Sequence, residues 1–335
     1  MTNADLEPRP TRAGLRVSSG GVLRHAKHWI ALALGALVLA GFFALAVVLG
    51  RMPPFDRFVT DPLFFKRCLV AHVNLSLVVW FYSFIVGLLF MLPGAGRAGW
   101  LPRQSASIGF LGVVMLFVGA TIPGTQPVLS NYIPTIDHWL FRSGQVVFGL
   151  GVLASLLDRR FLRIETEGKE GELLLSPAVQ FGLRAAMVTL GLAAVTLAIS
   201  LFKRPVGVEV EVFYELVMWG AGHVLQLVST IAMIVVWIVL LNKVLGASPV
   251  SGWAARLLFS AMVLPWLIAP FLALQGTVTG SYRSGFTHLM QFCIFPVVLI
   301  FLLLCLRSVF RAWHAGSLNR SALANPLLSG FLVSV

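Results

Sequence analysis

Eight long apolar runs alternate along the chain with short segments that collect the charge. They fall at about 29–50, 67–92, 105–122, 139–157, 178–202, 211–242, 255–275 and 285–307. At 1.5 Å per residue, roughly 20 apolar residues cross the hydrocarbon core of a bilayer, so each run predicts a membrane-spanning helix. A further apolar stretch, Leu327–Val335, follows Pro326 and is too short to span. It reads as the first half of a ninth helix, as if the chain were incomplete at its C-terminal end. The pattern therefore predicts an all-α fold. It is a polytopic transmembrane bundle of eight spans and a partial ninth, with one helical domain over 29–335 behind a polar tail, 1–28.

Composition agrees. The chain is 58% hydrophobic and 11% charged, where a soluble domain carries about 25% charged residues. A net charge of +12 would suit a nucleic-acid partner, but the basic residues sit in short loops between apolar runs, as membrane insertion requires. Nucleic acid is therefore excluded, and lipid is the partner the composition implies. Residues 1–28 carry Arg9, Arg12, Arg16, Arg24 and Lys27 ahead of a run too long, and too poorly followed by a cleavage site, for a signal peptide.

Seventeen of the Lys and Arg residues fall in segments on the N-terminal side of the bundle and eight on the opposite side. This asymmetry places the N-terminus and the charged loop 158–176 in the cytoplasm, as in an integral multi-pass protein of a bacterial inner membrane. Cys68, Cys293 and Cys305 stand alone, without Cys-x-x-Cys or Cys-x-x-Cys-His spacing. That argues against a covalently attached c-type haem and a thiolate metal site, and leaves them as small buried hydrophobes.

Of seven histidines, His25, His28 and His314 flank spans on the N-terminal side, and His138 follows Asp137 as a surface pair. His72, His223 and His288 lie within spans that descend from the outer face. The first and last sit roughly 5–8 Å down and His223 roughly 18 Å down. A buried imidazole needs a partner for each ring nitrogen. A helix-to-helix hydrogen bond supplies one ordinarily, and a metal supplies one at a cofactor site. Small residues beside His72 (Ala71) and His223 (Gly220, Gly222) leave room for a flat cofactor or a closely packed helix. Aromatics gather near both, with Trp80, Phe81, Tyr82 and Phe84 after His72 and Phe213, Tyr214 and Trp219 before His223. Glu215, two turns outward of His223, either solvates the outer mouth with Glu209 and Glu211 or begins a proton path. Gln226 and Gln291 either orient a histidine or bond between helices.

Two stretches carry a resemblance. Phe65-Lys66-Arg67-Cys68-Leu69-Val70-Ala71-His72-Val73-Asn74-Leu75-Ser76-Leu77-Val78-Val79-Trp80-Phe81 and Tyr214-Glu215-Leu216-Val217-Met218-Trp219-Gly220-Ala221-Gly222-His223 are similar to two helices of subunit I of the haem-copper oxidase superfamily. The cbb-type oxidases and nitric oxide reductases are the nearer branch. The resemblance implies that His72 is an axial ligand of a low-spin, b-type haem. It also implies that His223 is a copper ligand, with His288 as a weak second, and that Glu215 lies on a proton path. The function implied is that of a respiratory terminal oxidase subunit passing electrons to O2 or NO. Its partners would be other oxidase subunits and a cytochrome c or quinol donor.

The chain departs from that pattern. The family's two further adjacent copper histidines are missing where Pro270–Gly276 lies, and the redox tyrosine one turn after the copper histidine is Leu227. A copper held by nitrogen usually takes three imidazoles, so copper, and with it oxidoreductase activity, stays open. Two alternatives stand beside the haem reading: a non-catalytic relative that lost the copper site, and a haem-free membrane transporter.

Overall fold

The structure, a computed structural model, describes residues 22–92, 99–158, 161, 175–318 and 320–335. Residues 1–21 of the expected tail and most of the loop 158–176 lie outside the described residues. Among the described residues eight helical stretches are long and apolar enough to cross a membrane, and each coincides with one of the predicted runs. They are α1 (Val22–Leu49); α2 (Phe64–Val73) with α3 (Trp80–Leu89); α4 (Trp100–Thr121); α5 (Trp139–Leu156); α6 (Pro177–Phe202); α7 (Val210–Leu245); α8 (Gly252–Val263) with α9 (Ala269–Leu274); and α10 (Gly280–Leu289) with α11 (Phe295–His314). The ninth apolar stretch forms α12 (Pro326–Ser334).

Helix ends run past the predicted bounds, most at α10–α11. The hydrocarbon limits the apolar run, whereas the backbone ladder continues into polar flanks. α1 starts at Val22 and takes Arg24 and Lys27 into its first turns, so the helix reaches into the last residues of the expected tail. Among the described residues the one departure from an all-α chain is a two-residue antiparallel pair, β1 (Pro127–Val128) and β2 (Thr135–Ile136), in the loop between α4 and α5. Trp100, Trp139 and Trp253 stand exposed at the first residues of their spans, the position of an interfacial aromatic belt.

Three spans are interrupted. A 3-10 turn, Leu264–Ile268, joins α8 to α9. Pro265 and Pro270 lie there, and each lacks the amide hydrogen that an unbroken ladder needs. π-helical turns join α2 to α3 (Asn74–Val79) and α10 to α11 (Met290–Ile294). A π turn loosens the regular ladder, and near the first one side chains take up carbonyls. Asn74 Nδ2 donates to Val70 O at 2.9 Å and Ser76 Oγ to His72 O at 2.7 Å. Such turns recur at functional sites, and these two begin two residues after His72 and His288.

Glycines set the closest packing. A Cβ on Gly112 would stand 2.4 Å from the backbone nitrogen of Phe148, and one on Gly151 2.6 Å from that of Gly109. The α4–α5 pair is thus a small-residue interface in which backbones touch. Alternation of the spans collects the segments 50–63, 122–138, 203–209 and 275–279 at one end of the bundle, here the hairpin end. Two bonds tie them there. Gly124 N donates to Asp61 at 3.2 Å, and Thr277 Oγ1 to Lys203 O at 3.2 Å.

Gly112→Val is expected to cost about 3 kcal/mol, because the methyls meet backbone that cannot yield. The midpoint of unfolding in mixed micelles measures it, and an unchanged midpoint would contradict the packing described.

Candidate functional site

The loop 122–138 turns back into the bundle instead of crossing its end. Asn74 lies ten residues into its span and Gln145 six residues into α5, yet both reach the loop. Asn74 Nδ2 and Gln145 Nε2 donate to Pro134 O at 2.7 and 3.0 Å. Gln145 Nε2 also donates to Asn74 Oδ1 at 2.9 Å, and Thr135 Oγ1 donates to Gln145 Oε1 at 2.8 Å. Asn74 and Thr135 are buried. Buried amide and hydroxyl groups are costly unless paired, and this network pairs them while fixing the inward fold of the loop.

At its tip the loop meets α7. Asn131 donates to the Glu215 carboxylate from its backbone N, at 3.0 Å to Oε2, and from Nδ2, to Oε1. The next residue, Tyr132, reaches His223, with Oη 3.0 Å from Nε2. His223 is 2% exposed, and its Nδ1 stands 2.7 Å from Trp219 O. A carbonyl only accepts, so Nδ1 carries the hydrogen, and in the neutral ring Nε2 accepts from the Tyr132 hydroxyl. The Tyr132, Trp219 and Phe286 rings surround the imidazole, with centroids 4.9, 4.8 and 5.9 Å away.

The glycines beside His223 serve this arrangement. A Cβ on Gly222 would stand 2.1 Å from the Tyr132 ring, and one on Gly220 2.9 Å from both the Phe286 ring and the Tyr282 hydroxyl. The space that the small residues leave is filled by protein. Burial, and then the Glu215 carboxylate, push the Tyr132 phenol up to about 12.

His72 is held differently. Its Nδ1 stands 2.9 Å from Ala40 O on α1, which places the hydrogen on Nδ1 and the lone pair on Nε2. Among the described residues Nε2 has no hydrogen-bond partner, and the side chain is half-buried. A backbone carbonyl on one ring nitrogen is the usual support for a histidine that ligates through the other.

The remaining predicted residues do not join these two. His288 is exposed and stacks only near Phe292, 6.0 Å between centroids. Among the described residues no three His, Cys, Asp or Glu side chains gather as a metal cluster would require. Glu215 anchors the loop. His138 caps α5, accepting from Leu140 N at 3.3 Å, while Asp137 pairs with Arg142 at 2.9 Å. Cys68 and Cys305 are buried and unpaired, as expected, and Cys293 is half-buried.

Beside the loop, Asp61 accepts from Arg67 Nη2 at 2.6 Å, Leu63 N at 2.9 Å and Gly124 N. The Arg67 guanidinium holds its carboxyl down at about 2. Sequence reasoning missed Tyr132, Asn131, Asn74 and Gln145. The signal was present in the length and the Pro/Gly content of the segment between two spans, which a simple crossing turn does not need.

Comparison with known proteins gives two relatives. A protein described only as uncharacterized, from Aquifex aeolicus (strain VF5), is 27% identical over 285 residues, 84% of this chain and 69% of the relative. Another uncharacterized protein, from Rickettsia prowazekii (strain Madrid E), is 24% identical over 244 residues, 65% of this chain. The match spans about half the length of that second relative, 47%. No family model and no solved structure matches the chain.

Tyr132→Phe leaves His223 Nε2 buried without a donor and is expected to lower stability by about 1–3 kcal/mol. Its unfolding midpoint in micelles checks this, and a midpoint equal to that of the native protein would remove the bond from the argument.

Acid tests the second anchor. The Asp61 carboxyl is depressed to about 2 from 3.8, so its contribution is complete above about pH 4 and is lost as the pH falls through about 2. Over that window the midpoint should fall more for the native protein than for Asp61→Asn.

Proposed function

We propose that the chain is a haem-binding membrane protein of an electron-transfer system, similar to subunit I of the haem-copper oxidases, with His72 as an axial ligand and without the copper centre. The observation that carries the reading is the state of His72: Nδ1 on the Ala40 carbonyl and Nε2 carrying an unengaged lone pair. That arrangement fits an iron ligand, and a π-helical turn begins two residues after it. A b-type haem held there would supply one-electron chemistry. This chain's own part is to fix the imidazole's tautomer and orientation from α1.

His223 does not fit copper. Both ring nitrogens are engaged, Nε2 by Tyr132 and Nδ1 by Trp219, and His288 is not gathered with it. The function that follows is electron transfer without reduction of O2 or NO at a second metal. On this reading the N-terminus is cytoplasmic, supported by the 17-to-8 charge asymmetry. The hairpin end then faces outward, where Lys66, Lys203 and Arg204 suit an acidic cytochrome c-like donor, with a quinol as the other donor class. The membrane is a bacterial inner membrane, in keeping with the bacterial sources of both relatives, and other oxidase subunits are the partners.

Protein purified from membranes in mild detergent should show a Soret band and a reduced α band, both lost in His72→Ala and kept in His288→Ala. Unchanged visible spectra in His72→Ala would overturn the assignment. Metal analysis should find copper well below one per chain, and a full equivalent lost in His223→Ala would restore the copper reading.

A further inference from the structure

At the hairpin end a pocket of about 300 Å³ opens between α7 and the first turn of α10. Glu211, Glu215 and Trp219 lie four residues apart on α7, so they share one face and line the pocket together. From Glu211 to Trp219 that face descends about 12 Å. Arg283 lines the pocket from α10 and is fixed against the indole at two points. Its carbonyl accepts from Trp219 Nε1 at 3.3 Å, and its guanidinium lies 5.7 Å from the ring centroid.

The charges on this pocket have no counter-charge. Among the described residues ion pairs join Arg67 to Asp61 and Arg142 to Asp137, and none takes in Glu211, Glu215 or Arg283. Glu215 accepts from Asn131, a neutral donor, so its charge stands. Two carboxylates and a guanidinium thus share one small pocket whose apolar wall includes Val212 and Leu216. A bare cation would meet Arg283 there, and a bare anion would meet both carboxylates. A group carrying an ammonium and an anion together answers all three.

We infer that the pocket binds a phosphoethanolamine group carried by a membrane phospholipid, with its phosphate on Arg283 and its ammonium between Glu211 and Glu215. A guanidinium matches phosphate oxygens. A primary ammonium brings three donors to the carboxylates, and a trimethylated choline brings none. An anionic headgroup would add its charge to theirs. The lipid is favoured over free phosphoethanolamine because Val212 and Leu216 offer apolar contact beside the charges. The pocket also lies where α7 and α10 enter the bilayer, at the depth of headgroups and interfacial indoles. The inference stands apart from the haem reading, since it uses neither His72 nor a metal.

Native mass spectrometry of the full chain, delipidated in mild detergent, tests it. The ligands are a diacyl phosphatidylethanolamine, the phosphatidylcholine and phosphatidylglycerol with the same chains, and water-soluble phosphoethanolamine. The expected result is one saturable phosphatidylethanolamine per chain, bound at about tenfold lower concentration than either other lipid. Glu211→Gln should erase the preference over phosphatidylcholine. Arg283→Gln should weaken phosphatidylethanolamine binding about tenfold, and Arg283→Lys should keep most of it. Unfolding midpoints in lipid-free micelles show that the variants stand, and the selectivity of the native chain tests the inference without them. Equal binding of the three lipids, a preference for phosphatidylglycerol, or a selectivity indifferent to Glu211→Gln and Arg283→Gln would each overturn the site. Saturation by soluble phosphoethanolamine at the concentration the lipid needs would overturn the lipid as its source.

Discussion

Irregular backbone inside a helical bundle must have each of its polar groups answered by protein, because a bilayer offers none. The buried stretch 134–136 of the loop meets that constraint here, its carbonyl and hydroxyl bonded to Asn74 and Gln145. A helix satisfies its own ladder, but this loop folds back between α2, α5 and α7 with Pro134, Asn131 and Tyr132 needing outside partners. Asn74, Gln145, Glu215 and His223 supply them from three different spans. These residues are polar in otherwise apolar helices because the loop is there. The loop holds its place because they are polar.

The same demand explains the glycines. A tyrosine ring can reach His223 only if α7 presents no side chain at residue 222, and the Phe286 and Tyr282 side chains approach only over Gly220. Two bonds on one imidazole and three rings around it fill the space left by two missing methyl groups. The Tyr282 hydroxyl repeats the logic at the next level. It accepts from Gly220 N at 2.9 Å and donates to Leu216 O at 3.0 Å, so it pins α10 to α7.

Spans, their order and the short ninth helix were legible in the sequence because one strong quantity, apolar length against bilayer thickness, decides them. The histidines of interest were also legible, as costly residues in apolar runs. Their partners were not. Gly220 and Gly222 signal that something approaches closely, but a flat cofactor, a helix and a tyrosine ring all need the same gap. Only the fold of the loop decides among them. The 3-10 turn announced itself through Pro265 and Pro270, and the π turn after His288 through Pro296, which lacks the amide hydrogen that Phe292 O would accept. The π turn after His72 had no comparable mark, since Asn and Ser are both compatible with an ordinary membrane helix.

His72 and His223 began with the same credentials and part on the availability of a lone pair. In each ring Nδ1 is committed to a backbone carbonyl, Ala40 for one and Trp219 for the other. That shared feature leaves each Nε2 as the chemically expressive atom. For His223 the loop spends it on a phenol donor. A metal there would have to evict Tyr132, leave its hydroxyl buried at a cost of about 1–3 kcal/mol, and find further ligands in a shell of aromatic rings. For His72 no such contest exists among the described residues, because its ring stands beside a π turn and none of them engages Nε2. The difference lies in neighbours far off in sequence, Tyr132 above all, and it makes the coordinating capacity of an imidazole a property of the loop that packs on it as much as of the helix that carries it.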